Sequence, residues 1–276
     1  MSWIDALILG IVQGLAEYLP ISSSGHLEIF REILGLNLSG AEALEFDVAL
    51  HVATVLSTIV VLWREFVPLC VSFFTFRNDD NTRYVWKILL SCIPVAIVGL
   101  CFKDFVESFF GGGLTIVGVC LIVTAALLAF AYFFRTRHEL AGDAAPGVGK
   151  RSISWTDAFV MGLAQAVAIL PGLSRSGTTI ATGISLGARR EQVAQFSFFM
   201  VIIPILGEAL LGIKDIVTGE SAVAGAVGTL PLVVGFLASF LVGCAACKWM
   251  LEIVKRGKLV WFAVYCVIMG VVCLVW

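Results

Sequence analysis

Pro171-Gly172-Leu173-Ser174-Arg175-Ser176-Gly177-Thr178-Thr179 interrupts a long apolar stretch of this 276-residue chain. Ala158 to Leu170 leads into it and Ile180 to Leu186 follows, and neither flank carries a charge. A guanidinium at membrane depth costs roughly 2.5–3.5 kcal/mol, so an arginine placed there marks a functional site by default. Arg175 stands among hydroxyls and glycines, just after a proline that ends a helix. Glycines leave backbone N–H groups accessible, hydroxyls donate, and the guanidinium fork matches a pair of oxyanion oxygens. The stretch reads as a phosphate cradle inside a membrane.

The rest of the composition agrees. Hydrophobic residues make up 59% of the chain, charged residues 14%, and mean hydropathy is +1.00. Several uncharged runs approach the ~20 residues that span a bilayer as a helix. The expected class is therefore an all-α polytopic membrane protein, and a nucleic-acid partner is excluded. The eight cysteines lie scattered in apolar segments. Cys244-Ala-Ala-Cys247 has no histidine or second pair nearby and reads as small core residues, not a metal or redox motif. No basic region precedes the first apolar run, so residues 1–20 are expected to be mature structure.

Shifting the chain by 152 positions aligns its two halves without a gap. Trp3, Asp5, Ala6, Gly10, Gln13, Ala16, Ser22, Ser24 and Gly25 meet Trp155, Asp157, Ala158, Gly162, Gln165, Ala168, Ser174, Ser176 and Gly177. Nine identities in 23 positions indicate a duplication. The expected arrangement is one membrane domain over 1–276, with repeats at 1–140 and 152–276 and a cytoplasmic linker at 141–151. Each copy opens with a short apolar helix, a Pro/Ser/Gly break and a second short apolar segment, the pattern of a re-entrant helix–loop–helix. Three spans should follow in each half, near 45–63, 84–102 and 114–134, then 192–213, 224–248 and 259–276. Three is odd, so the second copy is inverted. With both termini outside, fourteen Lys and Arg face inward and three outward, Arg175 kept apart. In such repeats the broken helices meet near the midplane and turn their half-helix N-termini toward an anion.

The first break reads Gln13-Gly-Leu-Ala-Glu17-Tyr-Leu-Pro20-Ile-Ser22-Ser23-Ser24-Gly25-His26. Gln13 and Glu17 share a helix face at a spacing of four. A glutamate this deep requires a partner, which is Arg175, a metal ion or a proton. A purely structural Glu17–Arg175 pair is the bland alternative. His26 is either a neutral, hydrogen-bonded side chain or a group that moves protons or helps a nucleophile. His51 opens the first span as a supporting residue. No motif surrounds Glu208.

The run from Glu17 to His26 and the run from Pro171 to Thr179 resemble the two signature motifs of the undecaprenyl-diphosphate phosphatase family of the bacitracin-resistance type, and the likeness extends over the whole chain. It implies hydrolysis of undecaprenyl diphosphate to undecaprenyl phosphate and inorganic phosphate in the bacterial cytoplasmic membrane, recycling the lipid carrier of cell-wall synthesis. By that resemblance Glu17, Ser23, His26, Ser174, Arg175, Ser176 and Thr179 are active-site residues. Gly177 would join the phosphate cradle, and Gln13, Ser22, Ser24, Gly25 and His51 would support it. A divalent cation, Mg²⁺ or Ca²⁺, would bind through Glu17. Many members carry a second glutamate where this chain has Gln13, which leaves a single carboxylate for acid chemistry or metal binding. The expected substrate is a polyprenyl diphosphate held among membrane lipids, and a homodimer is compatible with this reading. Ser23, His26 and a histidine-activated water all remain open as nucleophiles. A lipid-phosphate flippase using the same anion site is the rival function.

Overall fold

The computed structural model describes residues 1–102, 113–140, 152–217 and 227–276, and every element among them is a helix. These are α1 (Trp3–Ala16), α2 (Ser23–Ile33), α3 (Gly40–Val61), α4 (Trp63–Phe74), α5 (Asp80–Cys101) and α6 (Gly113–Leu140). In the second half they are α7 (Trp155–Val167), α8 (Arg175–Ser185), α9 (Arg190–Met200), α10 (Ile202–Val217), α11 (Thr229–Arg256) and α12 (Val260–Val275). Five stretches are long and apolar enough to cross a membrane: Glu42–Val61, Asp80–Cys101, Gly113–Phe134, Arg190–Leu211 and Thr229–Arg256. The last expected span is the shorter α12. The expected linker at 141–151 lies outside the described residues.

The two breaks fall where the sequence puts them. α1 and α7 both start with reciprocal capping boxes. Ser2 Oγ accepts from the Asp5 amide at 3.2 Å while Asp5 Oδ2 accepts from the Ser2 amide at 2.8 Å. Ser154 and Asp157 repeat the pattern at 3.1 and 2.9 Å. The helices stop ahead of Pro20 and Pro171, because a proline disfavours helical geometry at the residue before it. They resume at serine N-caps, with Ser22 Oγ accepting from Gly25 N and Ser174 Oγ from Gly177 N, at 3.2 and 3.1 Å.

Two features differ from the sequence expectation. The span expected at 192–213 is divided at Val201 into α9 and α10. Pro204 has no N–H to give the carbonyl four residues back, so Met200 O is left over. Cys92 Sγ donates to it at 3.4 Å. In addition, α4 is a separate amphipathic helix with an internal proline, Pro68, in a stretch the spans expected from sequence leave unassigned.

Small residues let the helices approach closely, as in other membrane bundles. α1 packs on α11, α7 on α5, and α6 on α12. A Cβ added to Gly10 would lie 2.4 Å from Gly235 O, and one on Gly162 would lie 2.4 Å from Ser91 O. Gly118 and Gly270 face one another: a Cβ on either would stand 2.8 or 2.9 Å from the other's carbonyl oxygen. Gly162→Ala is expected to destabilise the protein by about 1–3 kcal/mol, since backbone must move to make room. Gly99 on the same α5 faces open space, and Gly99→Ala should stabilise by up to about 1 kcal/mol through helix propensity. Thermal unfolding of both variants in detergent checks the contrast.

Candidate active site

The two breaks touch. Ser176 Oγ donates to Leu19 O at 3.1 Å, and Cβ positions at Gly25 and Gly177 fall 3.1 Å from Gly172 Cα and 3.2 Å from Pro20 Cβ. Gly172 itself sits at φ +85° with its Cα face against Val117 of α6, a place open only to glycine. Ser23 and Arg175 are thus the first residues of two 11-residue helices whose N-termini converge. Among the described residues, the amides of Ser23, Ser24, Arg175 and Ser176 donate to no protein acceptor, as first-turn amides do. They present partial positive charge to the same space.

Glu17 lies at the centre and is 6% exposed. Its Oε2 accepts from Ser23 Oγ at 2.7 Å and from Gln13 Nε2 at 2.9 Å. Its Oε1 accepts from Arg175 Nη2 across 158 residues of sequence. His51 Nε2 stands 3.8 Å from Oε2. Its other nitrogen, Nδ1, is buried with no partner. The carboxylate, the serine and the guanidinium therefore form one cluster, with His51 at its edge.

Other expected site residues are held by the fold itself. Ser22 and Ser174 are N-caps, and the Ser174 amide also donates to Thr124 Oγ1 at 3.0 Å. Thr179 Oγ1 donates to Arg175 O at 2.8 Å, so Ser197 is the donor in the 2.7 Å bond between their hydroxyls. Ser24 Oγ approaches only Ser22 Oγ, at 3.4 Å. His26 is 3% exposed and is bonded elsewhere: Nδ1 to Ser22 O at 2.8 Å and Nε2 to Tyr265 OH at 2.6 Å. An arrangement in which Glu17 orients His26 is not what the geometry contains. The imidazole beside Glu17 belongs to His51.

Sequence reasoning misses three contributors. Tyr18 is buried at the base of the site, its hydroxyl 2.6 Å from Thr54 O and 2.8 Å from Thr58 Oγ1. Ser197 braces Thr179, and Tyr265 braces His26. None sits in a motif, and each meets its partner from a distant part of the chain. A pocket opens beside the cluster, with Glu17, Arg175, Ser176 and Ser197 at its polar end and Val55, Phe198, Val201 and Ile205 on its apolar wall.

No group of three His, Cys, Asp or Glu side chains gathers among the described residues. What Glu17 can offer a cation is one carboxylate, the Ser23 hydroxyl and Gln13 Oε1, a buried oxygen with no partner. That set suits a hard cation taking its remaining ligands from phosphate oxygens and water, as Mg²⁺ commonly does.

Comparison with known proteins bears on the same residues. The profile of the family described as Bacitracin resistance protein BacA matches residues 6–272. The chain belongs to that family. It is 56% identical over 272 residues to an undecaprenyl-diphosphatase of Parabacteroides distasonis, covering 99% of this chain and 97% of the relative. It is 54% identical to one of Bacteroides fragilis over 275 residues, covering 100% and 98%. A more distant undecaprenyl-diphosphatase, from Methanosphaera stadtmanae, is 34% identical over 287 residues, covering 99% and 97%. This BacA-family chain is thus matched along its whole length, both breaks included.

Proposed function

We propose that this chain is an integral-membrane undecaprenyl-diphosphatase, and that Glu17, Ser23 and Arg175 carry its chemistry. It hydrolyses undecaprenyl diphosphate to undecaprenyl phosphate and inorganic phosphate, returning the lipid carrier to cell-wall synthesis and conferring bacitracin resistance. The observation that carries the site assignment is the bond from Ser23 Oγ to a buried carboxylate that also pairs with Arg175.

A nucleophile bonded to its base, beside a cation, is the arrangement nucleophilic catalysis uses. Arg175 and the converging amides hold the terminal phosphate and the charge that grows on its oxygens. Ser23 Oγ attacks the terminal phosphorus as its proton passes to Glu17 Oε2. The anhydride bond breaks and undecaprenyl phosphate leaves. Once Glu17 has released that proton, it takes another from water, which attacks the phosphoserine and frees inorganic phosphate and the Ser23 hydroxyl. Ser174, Ser176, Gly177 and Thr179 shape the cradle, with Ser22, Ser24 and Gly25 supporting the opposite helix start. The apolar wall of Val55, Phe198, Val201 and Ile205 suits the first prenyl units. A divalent cation would be held by Glu17 and Gln13 with the diphosphate oxygens, and would neutralise phosphate charge.

The same reading puts the chain in the bacterial cytoplasmic membrane as two inverted repeats, 1–140 and 152–276, with both termini outside. Supporting it, repeat-related helices pack in exchanged pairs, α1 on α11 and α7 on α5. Gly118 and Gly270, 270 − 118 = 152 positions apart, touch one another as residues beside a two-fold axis would. A single cysteine at position 80, in a background cleared of native cysteines, should be labelled from the cytoplasm only. Labelling from outside would overturn the topology.

Detergent separates hydrolysis from transport, because micelles have no second leaflet. Purified protein should convert undecaprenyl diphosphate to a monophosphate lipid on thin-layer chromatography, and a chelator should suppress the reaction until Mg²⁺ or Ca²⁺ is restored. Unchanged lipid would favour the flippase reading.

A further inference from the structure

The His26 side chain, within the first signature run, is bonded from the far end of the chain. Its Nδ1 faces Ser22 O at 2.8 Å. A carbonyl oxygen only accepts, so Nδ1 carries the proton and a neutral ring has its lone pair on Nε2. That lone pair meets Tyr265 OH at 2.6 Å, with the partners 239 positions apart in sequence. The two rings also stack, centroids 5.6 Å apart at 17° between planes. Tyr265 lies on α12, which packs along α6, and α6 in turn touches both α2 and α8. The last helix therefore completes the first hairpin.

We infer that Tyr265 is a positioning residue of the active site, which holds His26 in one tautomer and provides a partner for Nε2 in both of its protonation states. A phenol can donate or accept. While His26 is neutral, the Tyr265 O–H points at Nε2. Once Nε2 takes a proton, the hydroxyl rotates and its oxygen accepts from Nε2–H, while Nδ1–H stays on Ser22 O. A buried imidazole with an apolar residue in place of Tyr265 would lose its Nε2 partner in either state, leaving a buried polar group unmet. Serine or threonine would not reproduce the stacked face. The inference rests on the reading that His26 takes part in hydrolysis, whether by moving a proton or by steadying the start of α2.

Tyr265→Phe removes the hydroxyl and keeps the ring, so the packing of α12 survives. The expected result is kcat for phosphate release from undecaprenyl diphosphate lowered about tenfold or more, with KM and the detergent unfolding temperature close to wild type. In a His26→Ala background the same change should have no further effect, because a residue acting through His26 has nothing left to act on. Selective ¹⁵N labelling of the three histidines gives a signature independent of activity: the His26 Nε2 resonance should move toward the value of an imidazole nitrogen without a hydrogen bond in Tyr265→Phe. Wild-type kcat together with an unmoved resonance would overturn the inference. A multiplicative loss in the double variant would also overturn it, by showing that Tyr265 acts elsewhere. If His26→Ala alone keeps full activity, the role of His26 in hydrolysis fails instead, and the resonance still reports whether Tyr265 holds the ring.

Discussion

Arg175→Ala is expected to lower phosphate release by about a thousandfold or more, the scale of losing the main cation at a transferring phosphoryl group. Arg175→Lys should lose about a hundredfold, because an ammonium keeps the charge but not the planar fork that holds two oxygens at once. The alanine variant has a second effect. Glu17 is 6% exposed and Arg175 is its cationic partner, and breaking a buried pair from one side costs about 3–5 kcal/mol. Part of the loss of activity is then a loss of folded protein. Adding Glu17→Gln to Arg175→Ala removes the stranded charge and should return the unfolding temperature toward wild type, with activity still absent. If stability and activity returned together, the pair would be structural and the phosphate would be bound elsewhere. Turnover by Arg175→Lys near the wild-type rate would mean that charge alone matters.

The second large effect concerns Ser23 and Glu17. The 2.7 Å bond between them makes a single unit of nucleophile and base. Ser23→Ala and Glu17→Ala should each lose about a thousandfold or more, and the double variant should fall to the same residual rate, as groups acting together do. His26 is bonded to neither, so His26→Ala should leave a higher rate than Ser23→Ala. A double variant far below both singles would assign Ser23 and Glu17 to separate tasks. A His26→Ala variant as inactive as Ser23→Ala would return the imidazole to the centre of the chemistry.

What the sequence can tell depends on whether partners lie within a motif. The helix breaks at Pro20 and Pro171, their serine caps and the shared face of Gln13 and Glu17 are local consequences of residue type, and all stand where the pattern indicates. The Glu17–Arg175 pairing is legible as well, since two opposite charges deep in apolar sequence have few other partners. The hydroxyls of Ser174 and Thr179 are harder, because a serine at a helix start looks the same whether it caps the helix or binds a ligand. The direction of the His26 ring is hidden for a similar reason. Its distance from Glu17 along the chain is short, yet the turn at Ser22, with φ +70°, and the bond to Tyr265 aim the ring at α12. Tyr265, Tyr18 and Ser197 carry no sequence signal, because only tertiary packing brings them to their partners. The division at Val201 is foreshadowed by Pro204, but the Cys92 thiol that meets the freed carbonyl is not.

The most direct test of Ser23 as the nucleophile is to map phosphate on the protein during turnover. Wild-type protein mixed with undecaprenyl diphosphate would be quenched in acid and, separately, in alkali, then digested and examined by mass spectrometry. Phosphoserine survives the first quench and phosphohistidine the second. Transient phosphate on Ser23 is the expected result, absent from Glu17→Gln protein. Phosphate on His26, or none on the protein at any quench time while the lipid is being hydrolysed, would contradict the assignment.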